Sequence, residues 1–464
     1  MRIVLSKMSY QYFDQPWLFE NVSASIEPGN RVAVIGPNGV GKSTLLKLIL
    51  GELSPQAGHI RQDFAPVRCV SDPHADGQSW GQAVWAAMTS ALLSEPALLV
   101  LDEPTRHLDL AHRRQLAEWL NRKPGLTMLC VSHDLDFLDA VATYTWHVAP
   151  GSFRVVSSGP SQYLQQLDQE HAAYARRYEQ QQAMISRLEE DIRKTKEQAR
   201  GVERGTIDSG QRRYAKKVAK KALSRERRLE HWQRSGDLVD APRDAHRLRH
   251  TWDHVRVLAG PVLRVEDGSL GYGAPILGNV FLEAHAGERV ALVGDNGTGK
   301  SSLMEAILGR FAGWQAGRWR TLQQAGYVSQ VFGEGESGTC WEYFREHSTL
   351  GDGFGRAWLQ SYGFQERHLD QPVQSLSHGE QVKLQIAALS AAGWPVLALD
   401  EPEHHLDLPS LESVSQGLSG YPGTLLVISH QPRFLQELGI TTVWRTARKS
   451  VGVEPWTTER NMGF

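Results

Sequence analysis

Short, unbroken apolar runs punctuate this chain, and they recur in a fixed rhythm. RVAVIG (31–36) leads into glycines and then GKST, which opens a segment with apolar residues at helical spacing; this predicts a strand, a loop and a helix. LLVL (98–101) predicts a buried strand ending in two carboxylates, Asp102 and Glu103, and MLCV (128–131) predicts another that ends near His133. The same order returns further along the chain: RVALVG (289–294), VLAL (396–399) with Asp400 and Glu401, and LLVI (425–428) with His430. RVAVIGPNGVGKSTLLKLILG and RVALVGDNGTGKSSLMEAILG are two copies of one pattern, as are LLVLDEPTRHLDL and VLALDEPEHHLDL, so two homologous α/β domains are expected.

Residues from about 160 to 250 match neither copy and carry a different pattern. Tyr178, Ile185, Ile192 and Ala199, with Tyr174 and Leu188 between them, follow coiled-coil spacing. GVERGTIDSG (201–210) is rich in turn residues, and QRRYAKKVAKKALSRERRLEHW then reads as a second helix. An antiparallel helical hairpin is expected, each arm about 35 residues and roughly 50 Å long. The expected boundaries are 1–158, 159–250 and 251–464.

Charge sharpens this division. Residues 171–234 hold 18 Lys and Arg against 9 Asp and Glu, although the whole chain of 464 residues carries a net charge of −2. The positive charge is concentrated in one element, which suits a partner made of structured RNA whose phosphates would dominate affinity. Arg204, Arg212, Arg213, Lys216, Lys217, Lys220, Lys221 and Arg225 are the candidate RNA contacts. Three cysteines, Cys69, Cys130 and Cys340, have no paired spacing, which fits a reducing cytoplasm. The N-terminus shows no signal pattern, and no stretch approaches the roughly 20 apolar residues of a membrane span.

The repeated motifs carry chemistry suited to a magnesium-bound triphosphate. Glycines let backbone N–H groups turn onto phosphate oxygens where a Cβ would collide, and the helix start adds its positive dipole end. One phosphate loop is Gly36, Pro37, Asn38, Gly39, Val40, Gly41, Lys42, Ser43 and Thr44; the other is Gly294, Asp295, Asn296, Gly297, Thr298, Gly299, Lys300, Ser301 and Ser302. Lys42 and Lys300 are expected to neutralise the β- and γ-phosphates, while Ser43 and Ser301 offer hydroxyls to Mg²⁺. Asp102 and Asp400 are assigned to the metal, Glu103 and Glu401 to the attacking water, and His133 and His430 to the γ-phosphate. Gln330 is a further Mg²⁺ candidate in the second copy.

The combination of phosphate loop, LSHGEQ (376–381), LDEP, HLD and SH resembles an ATP-binding cassette protein. Two cassettes on one chain, LDEPTRHLD and a charged linker resemble the ABC-F family. The resemblance implies an α/β fold with two P-loop nucleotide-binding domains joined by a long helical hairpin, ATP and Mg²⁺ as cofactors, and a cytosolic ATPase. Its implied partner is the ribosome, through rRNA and the peptidyl-site tRNA, with a role in translation or in protecting ribosomes from antibiotics. The two cassettes are expected to pair within one monomer. Ser377, His378 and Gly379 then serve as a signature facing the opposite γ-phosphate, and Tyr12 and Tyr272 lie where such cassettes stack an aromatic ring on adenine.

One departure stands out. Lys300 and Asp400 are 100 residues apart, whereas Lys42 and Asp102 are 60 apart; the next interval, to His133 or His430, is 31 or 30. About 40 residues are missing at one place. Counting back from Pro96 sets Ser79, Trp80 and Gly81 opposite Ser377, His378 and Gly379. Counting forward from Val70 instead makes QSWGQAVW the equivalent of GTCWEYF (338–344) and removes the helical subdomain and signature. The second alignment is preferred because it accounts for more residues, and Trp80 fails as a phosphate-approaching glycine under either. Asp72 also replaces a glutamine expected near Mg²⁺. Unequal sites follow, with hydrolysis mainly where the first phosphate loop meets the second signature. The ATPase part of a transporter with separate membrane subunits, and a clamp that barely turns over, are the competing functions.

Overall fold

The computed structural model describes residues 2–13, 16–62, 67–70, 86, 88–91, 96–106, 108–205, 213, 216–221, 223–227, 252–322, 324–329, 338–404, 406–447 and 449–457. Its contacts divide the chain into two compact units, 1–161 with 248–464, and 162–247.

The larger unit holds the duplicated α/β architecture. Its first half contributes β1 (Ile3–Tyr10), β2 (Phe19–Ile26), β3 (Arg31–Ile35), α1 (Lys42–Ile49), β4 (Ala57–Gln62), β5 (Val67–Val70), β6 (Leu99–Asp102), α2 (Leu110–Asn121), β7 (Met128–Val131), α3 (Leu135–Val141), β8 (Tyr144–Ala149) and β9 (Ser152–Val156). The strands form a sheet of order β5-β6-β7-β3-β8-β9 and a small antiparallel sheet β2-β1-β4. Strands β5, β6, β7, β3 and β8 run parallel, and β9 closes the edge antiparallel. Val32 to Val34, Leu99 to Leu101 and Met128 to Val131 are essentially without solvent exposure. Such strands are buried on both faces, which is why they read as continuous apolar runs.

After α4 (Pro160–Gly205), the second half repeats the plan. It comprises β10 (Pro261–Gly271), β11 (Pro275–His285), β12 (Arg289–Gly294), α5 (Lys300–Ile307), β13 (Trp314–Arg320), β14 (Gly326–Val328), α6 (Cys340–His347), α7 (Asp352–Ser361), α8 (Glu366–Leu369), α9 (His378–Ala391), β15 (Val396–Asp400), α10 (Leu408–Ser419), β16 (Thr424–Ile428), α11 (Pro432–Glu437), β17 (Thr442–Ala447) and β18 (Ser450–Pro455). Its sheets, β14-β15-β16-β12-β17-β18 and β11-β10-β13, have the first half's order strand for strand. The α/β class with two P-loop domains and a helical linker therefore stands.

The copies differ between the fifth and sixth strands of each half counted along the chain, β5 and β6 in the first and β14 and β15 in the second. Among the described residues, α-helices α6 to α9 lie between β14 and β15 and pack Cys340, Tyr343, Phe344, Trp358 and Tyr362 against the sheet. Between β5 and β6 the described residues include a helical piece at 86 and 88–91, with Met88 and Ala91 buried. Asp72, Ser79, Trp80 and Gly81 lie outside the described residues.

In the smaller unit, α4 extends over 46 residues, longer than the expected arm, because it begins at Pro160 and continues through Gly201 to Gly205. Proline suits the first helical turn, where its missing N–H has no partner to lose. Ile185, Ile192 and Leu188 form the apolar seam. Helical residues 216–221 and 223–227 fold back along this arm: Lys196 Nζ donates to Glu226 Oε1 at 2.7 Å, and Arg225 to Asp191 Oδ2 at 2.7 Å. No helix among the described residues is long and apolar enough to cross a membrane.

Candidate nucleotide sites

Each phosphate loop is built from the tip of a central strand and the start of the following helix. Gly36 has φ +152°, and an added Cβ would lie 2.1 Å from the Val148 carbonyl oxygen; at Gly294, also at +152°, it would lie 2.2 Å from Thr446 Oγ1. Only glycine lets the loop pass so close to the neighbouring strand. Gly41 and Gly299 occupy the left-handed region directly before α1 and α5, turning the chain so that both helix starts face their loops. Within those loops, Lys42 Nζ donates to the Gly36 and Pro37 carbonyls at 2.8 and 2.9 Å, and Lys300 Nζ to those of Gly294 and Asp295 at 2.9 and 3.1 Å. Burial lowers both lysines' pKa, against the opposing pull of Glu103 and Glu401 respectively.

The remaining expected loop residues divide by exposure. Asn38, Gly39 and Ser43 are exposed, while Val40 and Thr44 are buried. Asp295, Asn296 and Gly297 are exposed, and Thr298 donates to the Asp295 carbonyl at 2.8 Å. The Tyr12 hydroxyl pairs with Thr44 Oγ1 at 3.0 Å, leaving the ring half exposed beside the helix start. Tyr272 is also exposed and packs on Phe311 at 4.8 Å.

Carboxylates sit at the ends of β6 and β15. Ser301 Oγ lies 3.5 Å from Asp400 Oδ1, and the Tyr327 hydroxyl donates to Oδ2 at 3.3 Å. A hydroxyl beside a carboxylate at a strand end fits a magnesium ion, with Ser301 and Asp400 as its holders. Burial and the neighbouring Glu401 push Asp400 up to about 6. Gln330 lies outside the described residues.

Glu103 and Glu401 share an unusual backbone, φ +50° and +47°, a left-handed setting that a glutamate rarely adopts. Such strain persists only where the surroundings fix it, and it aims both side chains at the histidine turns. Glu103 Oε1 lies 3.3 Å from His133 Nε2, and the His133 backbone N–H donates to Glu103 Oε2 at 3.3 Å. Burial raises Glu103 to about 8, and burial together with Lys42 lowers His133 to about 4. The second site is electrostatically opposite. Burial pushes Glu401 up, but the nearby His430, His404 and Lys300 outweigh it and hold the group at about 2. Its two oxygens face His430 Nε2 at 3.5 Å and His404 Nδ1 at 3.2 Å.

Ser377 caps α9 in a reciprocal box with Glu380, placing exposed Ser377 and His378 and buried Gly379 at that helix start. The two halves meet through residues that motif reading overlooked. Asp407 caps α10 through the Ser410 N–H and also accepts the Asn38 N–H of the opposite phosphate loop at 2.6 Å. Asp109 does the reciprocal work, accepting from His112 N–H in its own helix and from Asn296 N–H across the seam at 3.5 Å. Asp407 also acts electrostatically on Lys383 of α9. Buried Arg113 bonds Asp134 at 2.9 Å and reaches the His430 carbonyl at 3.4 Å. A cavity in this seam is lined by Glu103, Arg106, Arg113 and His133 from the first half and by Glu403, His404 and Gln431 from the second. The signal for both aspartates was present in sequence, since each ends a repeated HLD.

Comparison with known proteins supplies the family. The family model described as ABC transporter matches residues 19–78 and 277–404. The ribosome protection protein VmlR of Bacillus subtilis is 30% identical over 94% of this chain and 85% of its own length. The erythromycin resistance ATP-binding protein MsrA of Staphylococcus epidermidis is 27% identical over 88% of this chain and 90% of its own. The chain belongs to the ABC-F family. A likeness to an archaeal ribosome recycling factor, solved with a ribosomal stalk protein, extends over 98% of this ABC-F chain and 91% of that one; its TM-score of 0.65 at 17% identity supports the shared fold.

Among the candidate RNA contacts of this ABC-F chain, Arg213, Lys216, Lys217, Lys220 and Lys221 are exposed. Arg225 is exposed too but is tied to Asp191. The side chain of Arg204 and all of Arg212 lie outside the described residues.

Proposed function

We propose that this ABC-F protein is a ribosome-associated ATPase whose two cassettes close on MgATP, with hydrolysis mainly at the site of the first phosphate loop. The observation that carries this reading is the reciprocal crossing of Asp407 onto Asn38 and Asp109 onto Asn296, which ties each phosphate loop to the opposite cassette. In the first site, Lys42 neutralises the β- and γ-phosphates and Ser377, His378 and Gly379 approach from across the seam. Ser43 and Asp102 would hold a magnesium ion, which would neutralise charge on the phosphate oxygens when bound. Glu103 orients a water and takes its proton as the water oxygen bonds to the γ-phosphorus; the bond to the β-γ bridging oxygen breaks and ADP leaves with that electron pair. His133 holds a γ-phosphate oxygen. A carboxylate at about 8 is near working pH, where a general base is most effective, whereas one at about 2 is a weak base. The domain limits that go with this reading are 1–158 and 251–464 for the two cassettes and 159–250 for the linker.

The linker is read as the RNA-contacting element because its basic residues stand exposed on the second arm and because relatives are named for ribosome protection and erythromycin resistance. Cosedimentation with ribosomes in the presence of a nonhydrolysable ATP analogue tests the reading. Binding is expected with the analogue and should weaken at least about tenfold when Lys216, Lys217, Lys220 and Lys221 become Ala, with a shallower salt dependence. Binding indifferent to all four substitutions would discard the basic-stripe proposal.

A further inference from the structure

The stretches LDEPTRHLDL (101–110) and LDEPEHHLDL (399–408) differ at two positions, Thr105 against Glu403 and Arg106 against His404. All four residues line the seam cavity. In the first half, Thr105 Oγ1 pairs with Ser132 Oγ at 2.9 Å and the His133 N–H goes to Glu103. In the second half, Glu403 Oε1 accepts from Ser429 Oγ at 2.6 Å and also takes the His430 N–H at 2.7 Å. Its Oε2 is buried without a hydrogen-bond partner among the described residues, and the residue is 2% exposed.

We propose that Glu403 is a positioning residue that fixes the His430 turn independently of Glu401 and thereby slows turnover at the second ATP site. The inference rests on the two-site reading above. A buried orphan oxygen is costly, and a threonine at the same place satisfies the neighbouring serine without one. What the carboxyl group adds is its hold on the His430 N–H. Arg113 from the other half faces the same residue's carbonyl, so His430 is held through both its N–H and its carbonyl. In the first site the His133 turn hangs on Glu103 itself, so carboxylate and histidine adjust together when water and nucleotide arrive. In the second the backbone link is absent, because the His430 N–H goes to Glu403, and Glu401 faces the imidazoles instead, His430 Nε2 at 3.5 Å and His404 Nδ1 at 3.2 Å.

The test is single-turnover ATP hydrolysis in a Glu103→Gln background, where the remaining rate reports the second site, with bound ATP per chain measured alongside. Glu403→Thr is expected to raise that rate about five- to tenfold by restoring the first site's arrangement. Glu403→Gln keeps a side-chain oxygen for Ser429 and the His430 N–H, and should stay within about twofold of its parent. Glu403→Ser carries the threonine expectation if that variant fails to fold. An unchanged or lower rate in the Thr or Ser variant, with two ATP bound per chain, overturns the proposal, as does an equal acceleration by Gln. One ATP per chain in Glu103→Gln would instead overturn the two-site reading, and this inference with it.

Discussion

The two nucleotide sites share strand order, loop geometry and even the left-handed backbone of their glutamates, yet their carboxylates are held in opposite states. Glu103 keeps its proton near neutrality because burial dominates; Glu401 loses it because two imidazoles and Lys300 surround it. The lesson is that duplication preserves topology through the apolar pattern, while one or two polar replacements beside a buried carboxylate are enough to divide labour. Arg106 against His404 and Thr105 against Glu403 are such replacements.

The strongest way to break this comparison is to remove each base. Glu103→Gln should lower single-turnover hydrolysis by about 10²- to 10⁴-fold, and Glu401→Gln by less than about threefold; equal losses would end the claim of asymmetry. Next comes stability against pH. Burial raises Glu403 from 4.5 to about 7, so between those values the unfolded chain has released a proton that the folded chain keeps. The contribution of Glu403 to folded stability should therefore fall as pH rises through that window, by up to about 3 kcal/mol, and level off above it. Urea unfolding from pH 4.5 to 8 would check this, with Glu403→Gln removing that part of the slope.

A third measurement uses the rate. The first site needs Glu103 ionised, so its turnover should climb about fivefold from pH 7 to 8 and flatten above about 9, whereas second-site turnover should vary little across this range. The smallest effect belongs to the seam. Asp407→Ala removes a helix cap and the 2.6 Å crossing bond to Asn38, and should cost about 1 kcal/mol more in ATP-bound thermal denaturation than Asp109→Ala, whose crossing contact is 3.5 Å.

Much of the site was legible before any coordinates. RVAVIG and RVALVG are the central strands because their runs are buried on both faces, and GKST and GKSS open helices because glycine and the helix start are local requirements. The linker's first arm was legible from its heptad spacing, but its end was not: GVERG remained helical because flanking turns can carry a glycine at a cost of only about 1 kcal/mol. Asp109 and Asp407 stood in plain view within a repeated HLD, but their double duty required knowing that the opposite loop lies within reach. Glu403 looked like one more acidic turn residue, and nothing local says that it is buried.

By itself, the sequence determined that there are two copies, where their strands and phosphate loops lie, and that about 40 residues separate their lysine-to-aspartate intervals, since periodicity and backbone conformation are properties of neighbouring residues. Only the tertiary structure decided which carboxylate is protonated and which aspartate crosses the seam. Desolvation and hydrogen bonding depend on groups hundreds of positions away in the chain, as Asn38 and Asp407 show.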